Sequence, residues 1–145
     1  LMIRQATKYD KTQIIEIIRL FRDESKIEQY RDFENVEYIN KLLDSILAGQ
    51  GIIYIEDGVG LIIGLIIPTI WCDKTLVLHE LAWYVKPEFR NTTTGYRLLK
   101  AYVDYGKQLK EEGRIKMFTI TKMVTSPDIK YGRFGFSKLD ENWIQ

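Results

Sequence analysis

Residues 83–96 read WYVKPEFRNTTTGY: an aromatic, β-type run, a proline, an arginine, three threonines, and a glycine at the head of an apolar periodic segment. That order describes a strand, a tight turn and a helix. The first amides of a helix have no intrahelical partner, and with the helix dipole they form an anion site. Hydroxyls of Thr92, Thr93 and Thr94 could add donors, and Arg90 adds charge. A pyrophosphate is the natural guest; an ordinary polar strand–helix connection is the alternative. No Gly-Lys-Ser/Thr follows, so this is not a P-loop, and the glycines of a dinucleotide fingerprint are absent.

The rest of the chain narrows the chemistry. Cys72 is the only cysteine and His79 the only histidine among 145 residues. An intramolecular disulfide, a cysteine-based zinc cluster and a histidine-rich metal site are excluded, and no metal is expected. A Cys–His nucleophile pair remains formally open, although a lone cysteine is more often a small buried hydrophobe. With 21 basic and 20 acidic side chains the formal net charge is +1. General nucleic-acid binding, which needs a basic surface, is not expected. The N-terminal residues lack the apolar core of a signal peptide. The longest apolar run, residues 61–67, contains Gly64 and is too short to span a bilayer. A cytoplasmic setting is the default expectation.

The elements that must position the turn follow from periodicity. Residues 2–6 read as a short first strand. Asp10 is a candidate helix N-cap with Gln13 completing a capping box, and Ile14, Ile17, Ile18 and Phe21 recur at helical spacing. Residues 22–32 are charged and irregular, and read as a loop or broken helix. A second helix carries Val36, Ile39, Leu42, Leu43, Ile46 and Leu47 on one face, and Gly49 to Gly51 stop it. Residues 52–56 and 59–67 flank Asp57-Gly58, a strong hairpin signal. Residues 75–85 form another strand. A third helix opens at Gly95, buries Leu98, Leu99, Tyr102 and Leu109, and ends at Gly113. Residues 114–121 read as a strand, and Ser126-Pro127 as cap and first position of a short helix closed by Gly135. Residues 136–144 fit one or two terminal strands. The order β-α-α-β-β-β-α-β-α-β implies one α/β domain over residues 2–145, its mixed sheet antiparallel early with a parallel crossover pair later.

In this order the sequence resembles the GNAT superfamily of N-acetyltransferases. The family pattern is a strand ending in an aliphatic residue, often x-Pro, then Arg or Gln, two variable residues, Gly, one variable residue, and Gly or Ala. Val85-Lys86-Pro87 and Arg90-Asn91-Thr92-Thr93-Thr94-Gly95 supply it, with Arg90 and Gly95 matching. Thr93 stands where the family usually has glycine, and its β-branched side chain would crowd a phosphate that glycine lets approach. Tyr131-Gly132-Arg133-Phe134-Gly135-Phe136 resembles the family's closing signature, Tyr-x-x-x-Gly-Phe. Many members also place an asparagine just after the fifth strand. Here Val124-Thr125-Ser126 stand there, and Thr125 or Ser126 is the candidate substitute.

The resemblance implies acetyl-CoA as acyl donor and an amine as acceptor. The backbone of Trp83, Tyr84 and Val85 would pair with the pantetheine arm, and an amide in that stretch would serve the oxyanion. Arg90, Asn91, Thr92, Thr93, Thr94, Gly95 and Tyr96 would hold the pyrophosphate. Tyr131 would act as general acid toward the departing thiolate; simple packing of its helix on the sheet is the alternative. Removing a proton from a primary amine at pH 7 costs about 4–5 kcal/mol, so a base or water chain is needed. His79 and Glu80, both on the fourth strand, are the candidates. Neighbours on a strand face opposite ways, and a bulge would shift the parity. The acceptor groove would be bounded by residues 22–32, the second helix and the last hairpin. Asp23, Glu24, Glu28 and Asp32 in that loop would favour a cationic amine, or else form a solvated charged surface. Oligomeric state is not read from the residues; dimers are common in the family, and the resemblance leaves a homodimer open. A fold that has kept only binding of acyl-CoA or of a protein partner is the alternative reading.

Overall fold

The computed structural model describes residues 2–123 and 126–145. Its sheet contains β1 (Arg4–Gln5), β2 (Gly51–Glu56), β3 (Gly60–Pro68), β4 (Leu76–Val85) and β5 (Met117–Thr119), in spatial order β1-β2-β3-β4-β5. The first four strands are antiparallel, and β4 and β5 are parallel, joined by a helical crossover. The mixed sheet read from element order is thus the one observed.

α1 (Lys11–Glu24) and α2 (Val36–Ser45) cover one face of the sheet. Ile14, Ile17, Leu43 and Ile46 pack there on Ile53, Ile55, Leu61, Ile63, Ala82 and Tyr84. α3 (Thr94–Glu111) covers the other face. Its Leu98, Tyr102 and Leu109 are fully buried against Ile52, Ile62, Leu78 and Val85. Both faces therefore lose their apolar side chains from water, and that burial is the main stabilising term. No helix of the described residues is long and apolar enough to cross a membrane.

Several local expectations differ from the structure. The capping box lies one turn earlier than Asp10–Gln13. Thr7 caps a single turn over Lys8–Asp10, and the Asp10 carboxylate accepts the Thr7 amide at 2.7 Å. Gln13 reaches the β2–β3 turn instead, accepting from the Gly58 amide at 2.8 Å. Cys72 is exposed on the β3–β4 loop, not buried, and makes no pair with His79. Residues 22–32, read as a loop or broken helix, are the broken helix: α1 runs to Glu24 and a single turn spans Glu28–Tyr30.

The C-terminal part differs most. β5 is three residues long, because beyond Thr119 the Thr121 amide donates to the Glu80 carboxylate instead of to strand backbone. Ser126-Pro127 does not start a helix; the one turn spans Tyr131–Phe134, with Lys130 at its head and Gly135 closing it at φ 87°. Proline's fixed φ suits irregular chain as well as a helix start, and here no helix follows it until Tyr131. No strand forms over residues 136–145. Leu139, Trp143 and Ile144 are exposed, while Phe136 packs edge-on against Phe118 with ring centroids 5.6 Å apart.

Candidate active site

β4 and β5 part company halfway along β4. Their ladder covers Val77 with Met117, Leu78 with Phe118 and His79 with Thr119, and then stops. β4 continues to Val85 paired only with β3. The Lys86 amide donates to the Val59 carbonyl at 2.9 Å, which sets the alternation of the antiparallel ladder. Ala82 and Tyr84 accordingly exchange hydrogen bonds with β3, and the backbone groups of Trp83 and the amide of Val85 face the opened side. The Val85 carbonyl accepts from Arg90 Nε at 2.8 Å.

A bulge decides which strand residues face which side. Ile63 pairs with Ala82 but Gly64 pairs with Glu80, so Leu81 is an extra residue without a partner. Below the bulge Leu78 and Glu80 face α3; above it Trp83 and Val85 do, while Ala82 and Tyr84 face α1 and α2. Glu80 is 5% exposed, and its Oε1 accepts the Thr121 amide at 3.3 Å. Burial disfavours its charged form and lifts its pKa to about 7. His79 faces the other way, and its Nδ1 lies 2.8 Å from Thr119 Oγ1 at the last rung of the parallel ladder.

Tyr131 opens the turn after residue 130 and is half-buried. Its pKa is raised by burial, then by the nearby charges of Glu80 and Asp128. Glu80 also raises the pKa of buried Tyr102, although burial is the larger cause there. One carboxylate therefore lies electrostatically close to both tyrosines. The Tyr102 hydroxyl donates to the Thr119 carbonyl at 2.6 Å, fixing the end of β5. Tyr96, in the first turn of α3, contacts Phe134 with ring centroids 5.8 Å apart. That contact joins the α3 N-terminus to the Tyr131 turn.

After β4 a single turn at Pro87–Phe89 leads through Arg90, Asn91 and Thr92 to Thr93, the N-cap of α3. The first intrahelical bond is from the Arg97 amide to the Thr93 carbonyl at 2.9 Å. The amides of Gly95 and Tyr96 precede it and have no partner among the described residues. Thr93 has φ −87° and ψ 1°, ordinary values for any residue, so the threonine causes no backbone strain. A Cβ added at Gly95 would lie 3.7 Å from Val85 Cγ2 and 4.0 Å from Trp83 Cζ2, ordinary contacts. The chain's own packing does not demand glycine there. Trp83 Nε1 is buried without an acceptor close by. Free amides, an orphan indole donor and a glycine not needed for packing all fit an anionic, hydrogen-bonding guest in this corner.

A model of the acetyltransferase (GNAT) family matches residues 13–136. The chain belongs to the GNAT family of acetyltransferases. Solved structures agree on the fold. A predicted acetyltransferase from Clostridium acetobutylicum, crystallised with acetyl-CoA, has a TM-score of 0.74 at 18% identity, covering 99% of this chain and 94% of that one. Glucosamine-6-phosphate N-acetyltransferase from Arabidopsis thaliana has a TM-score of 0.69 at 15% identity, with coverages of 99% and 96%. An aminoglycoside acetyltransferase from an uncultured soil sample has a TM-score of 0.65 at 14% identity, with coverages of 99% and 92%. Among curated proteins none matches in sequence.

Within this GNAT chain two charged contacts had no sequence signal. Arg90 forms a two-pronged ion pair with Glu24 at the end of α1, at 2.6 and 2.5 Å. Glu24 is therefore a partner of the turn and not a free acid of the acceptor loop; Asp23 likewise pairs with Arg22 at 3.0 Å. Glu56, 2% exposed at the end of β2, accepts from Thr94 Oγ1 at 2.8 Å and lies 2.7 Å from Arg97 Nη2. These partners are 38 to 66 residues apart in sequence, beyond any local pattern. Of the two candidates to replace the family asparagine, Thr125 lies, with Val124, outside the described residues, and Ser126 is half-buried with its amide donating to the Met123 carbonyl at 2.9 Å.

Proposed function

We propose that this GNAT chain is a cytoplasmic N-acetyltransferase that moves the acetyl group of acetyl-CoA directly to a primary amine. The observation that carries the reading is the opened side of β4, with the unpaired backbone of Trp83 and the free amide of Val85 leading to the free amides of Gly95 and Tyr96. The pantetheine arm pairs with the free backbone groups of Trp83 and the amide of Val85; Tyr84, expected from the sequence to join them, spends its backbone groups on β3 instead. The diphosphate lies on the turn from Arg90 through Asn91, Thr92, Thr93 and Thr94 to Gly95 and Tyr96.

Glu80, not His79, is the base in this reading. Its carboxyl lies where the strands part and titrates at about 7, so both protonation states are populated near neutrality. His79 instead faces away and ties β4 to β5 through Thr119. The amine gives its proton to Glu80, directly or through water, and its nitrogen attacks the thioester carbonyl. A backbone amide of the Trp83–Val85 stretch stabilises the oxyanion. The carbon–sulfur bond then breaks. Tyr131, held protonated by its raised pKa, supplies the proton to the thiolate. The products are an N-acetyl amine and free CoA, and no covalent enzyme intermediate forms.

The glucosamine-6-phosphate and aminoglycoside enzymes of the same fold support an amine acceptor. The test is thiol release from acetyl-CoA over a panel of amines, with Tyr131→Phe as control. The expected result is turnover with at least one amine, slowed in the variant while CoA binding is nearly unchanged. CoA binding without turnover on any amine would favour a binding module instead.

A further inference from the structure

A threonine at a helix N-cap normally turns its hydroxyl onto the amide two or three residues ahead. Thr93 is the N-cap of α3 and makes no such bond. Its Oγ1 is taken by Arg97, whose Nε donates to it at 3.0 Å. Arg97 is itself held. Its Nη2 lies 2.7 Å from Glu56 Oε1 and 3.2 Å from Thr94 Oγ1. Thr94, 1% exposed, donates its hydroxyl hydrogen bond to Glu56 Oε2 at 2.8 Å. The third hydroxyl, on Thr92, donates to the Phe89 carbonyl at 2.6 Å. The network therefore gives each of the three successive threonines a bond that leaves the Gly95 and Tyr96 amides uncovered.

We propose that Glu56 and Arg97 are positioning residues that draw the Thr93 hydroxyl away from the first amides of α3 and so keep the phosphate-binding amides of Gly95 and Tyr96 open. The inference rests on the acetyl-CoA reading above and deepens it. A self-capped α3 would satisfy those amides internally and compete with any anion for them. The carboxylate of Glu56 does not repel the anion, because Arg97 neutralises it beneath the turn. The same pair accounts for a β-branched residue at position 93: the side chain is drawn toward Arg97 and away from the ligand.

Arg97→Lys separates the two roles of the arginine. A lysine can still neutralise Glu56 but lacks the second donor that holds Thr93. Calorimetry with CoA, and with S-acetylpantetheine, which lacks the nucleotide and the diphosphate, reads the effect. CoA affinity is expected to fall about fivefold, the equivalent of one capping bond, while S-acetylpantetheine affinity stays at the parent value. Adding Thr93→Ala, which removes the competing hydroxyl, is expected to restore CoA binding. Glu56→Gln, which keeps an acceptor for Thr94 but releases Arg97, is expected to weaken CoA in the same selective way. Parent-strength CoA binding in Arg97→Lys or in Glu56→Gln, equal loss for both ligands, or no recovery in the double variant overturns the proposal. If the parent protein itself binds no CoA, the acetyl-CoA reading fails first and this inference falls with it.

Discussion

The Glu80 carboxylate accepts the Thr121 amide at 3.3 Å across the point where β4 and β5 diverge. This bond replaces the next rung of the parallel ladder. It places a buried, proton-binding group at the mouth of the opened strand edge. The bulge at Leu81 is what turns Glu80 and Trp83 toward the same face despite their odd separation.

The first prediction concerns the pH profile. A base with a pKa of about 7 must be deprotonated to act. The value of kcat/KM is therefore expected to rise with pH and level off above about 7. Glu80→Gln should lower the plateau by about a hundredfold or more and remove that acidic limb. A limb that persists unchanged in Glu80→Gln assigns the base elsewhere, with His79 next in line.

Stability should respond to pH in the opposite sense. The folded-state pKa of Glu80 is raised from 4.5 to about 7. Between these values the native protein holds a proton that the unfolded chain has released, so stability falls as pH rises through the interval. The full cost approaches about 3 kcal/mol above pH 7. Glu80→Gln should be more stable than the parent at pH 8, and the two should converge near pH 4. Denaturant unfolding at both pH values measures this.

Gly95→Ala should separate folding from binding. The added methyl meets only ordinary contacts inside the protein, so stability should change by less than about 1 kcal/mol. It would stand between the turn and a bound diphosphate. Losing one hydrogen bond to a charged group, about 1.5–3 kcal/mol, should weaken CoA binding by about tenfold or more. Melting curves and calorimetry together decide it.

Gly106→Ala should do the reverse. A Cβ on this α3 residue would lie 2.6–2.8 Å from three ring atoms of Phe118. That ring is wedged between Tyr102 and Phe136, with centroid distances of 6.2 and 5.6 Å. Overpacking there should cost about 1–3 kcal/mol, offset by up to about 1 kcal/mol of helix propensity. A net loss in thermal unfolding is expected.

The sequence carried most of the scaffold, because its signals are local and redundant. The buried stripe Leu98, Leu99, Tyr102 and Leu109 repeats at helical spacing and is buried as expected. Asp57-Gly58 marks the β2–β3 turn, with Gly58 at φ 71°. Weak, short elements were misread. Ser126-Pro127 has the composition of a helix start and residues 136–144 a strand-like composition, but neither forms that element, because composition over so few residues is a weak signal that tertiary context overrides. At the candidate site, the turn that leads from β4 into α3 was legible because helix N-termini are. Glu56 was not, because its carboxylate acquires meaning only when the sheet brings the end of β2 beneath Thr94. Which of His79 and Glu80 shares a face with Trp83 likewise depended on the bulge, which no residue type announces.

The most direct test is a crystal structure of the protein grown with saturating acetyl-CoA. The predicted density has the pantetheine arm paired to the backbone of Trp83 and Val85, the diphosphate on the amides of Gly95 and Tyr96, and the thioester sulfur within hydrogen-bond reach of the Tyr131 hydroxyl. A ligand bound elsewhere, or a β4–β5 opening that stays empty at saturation, contradicts the account.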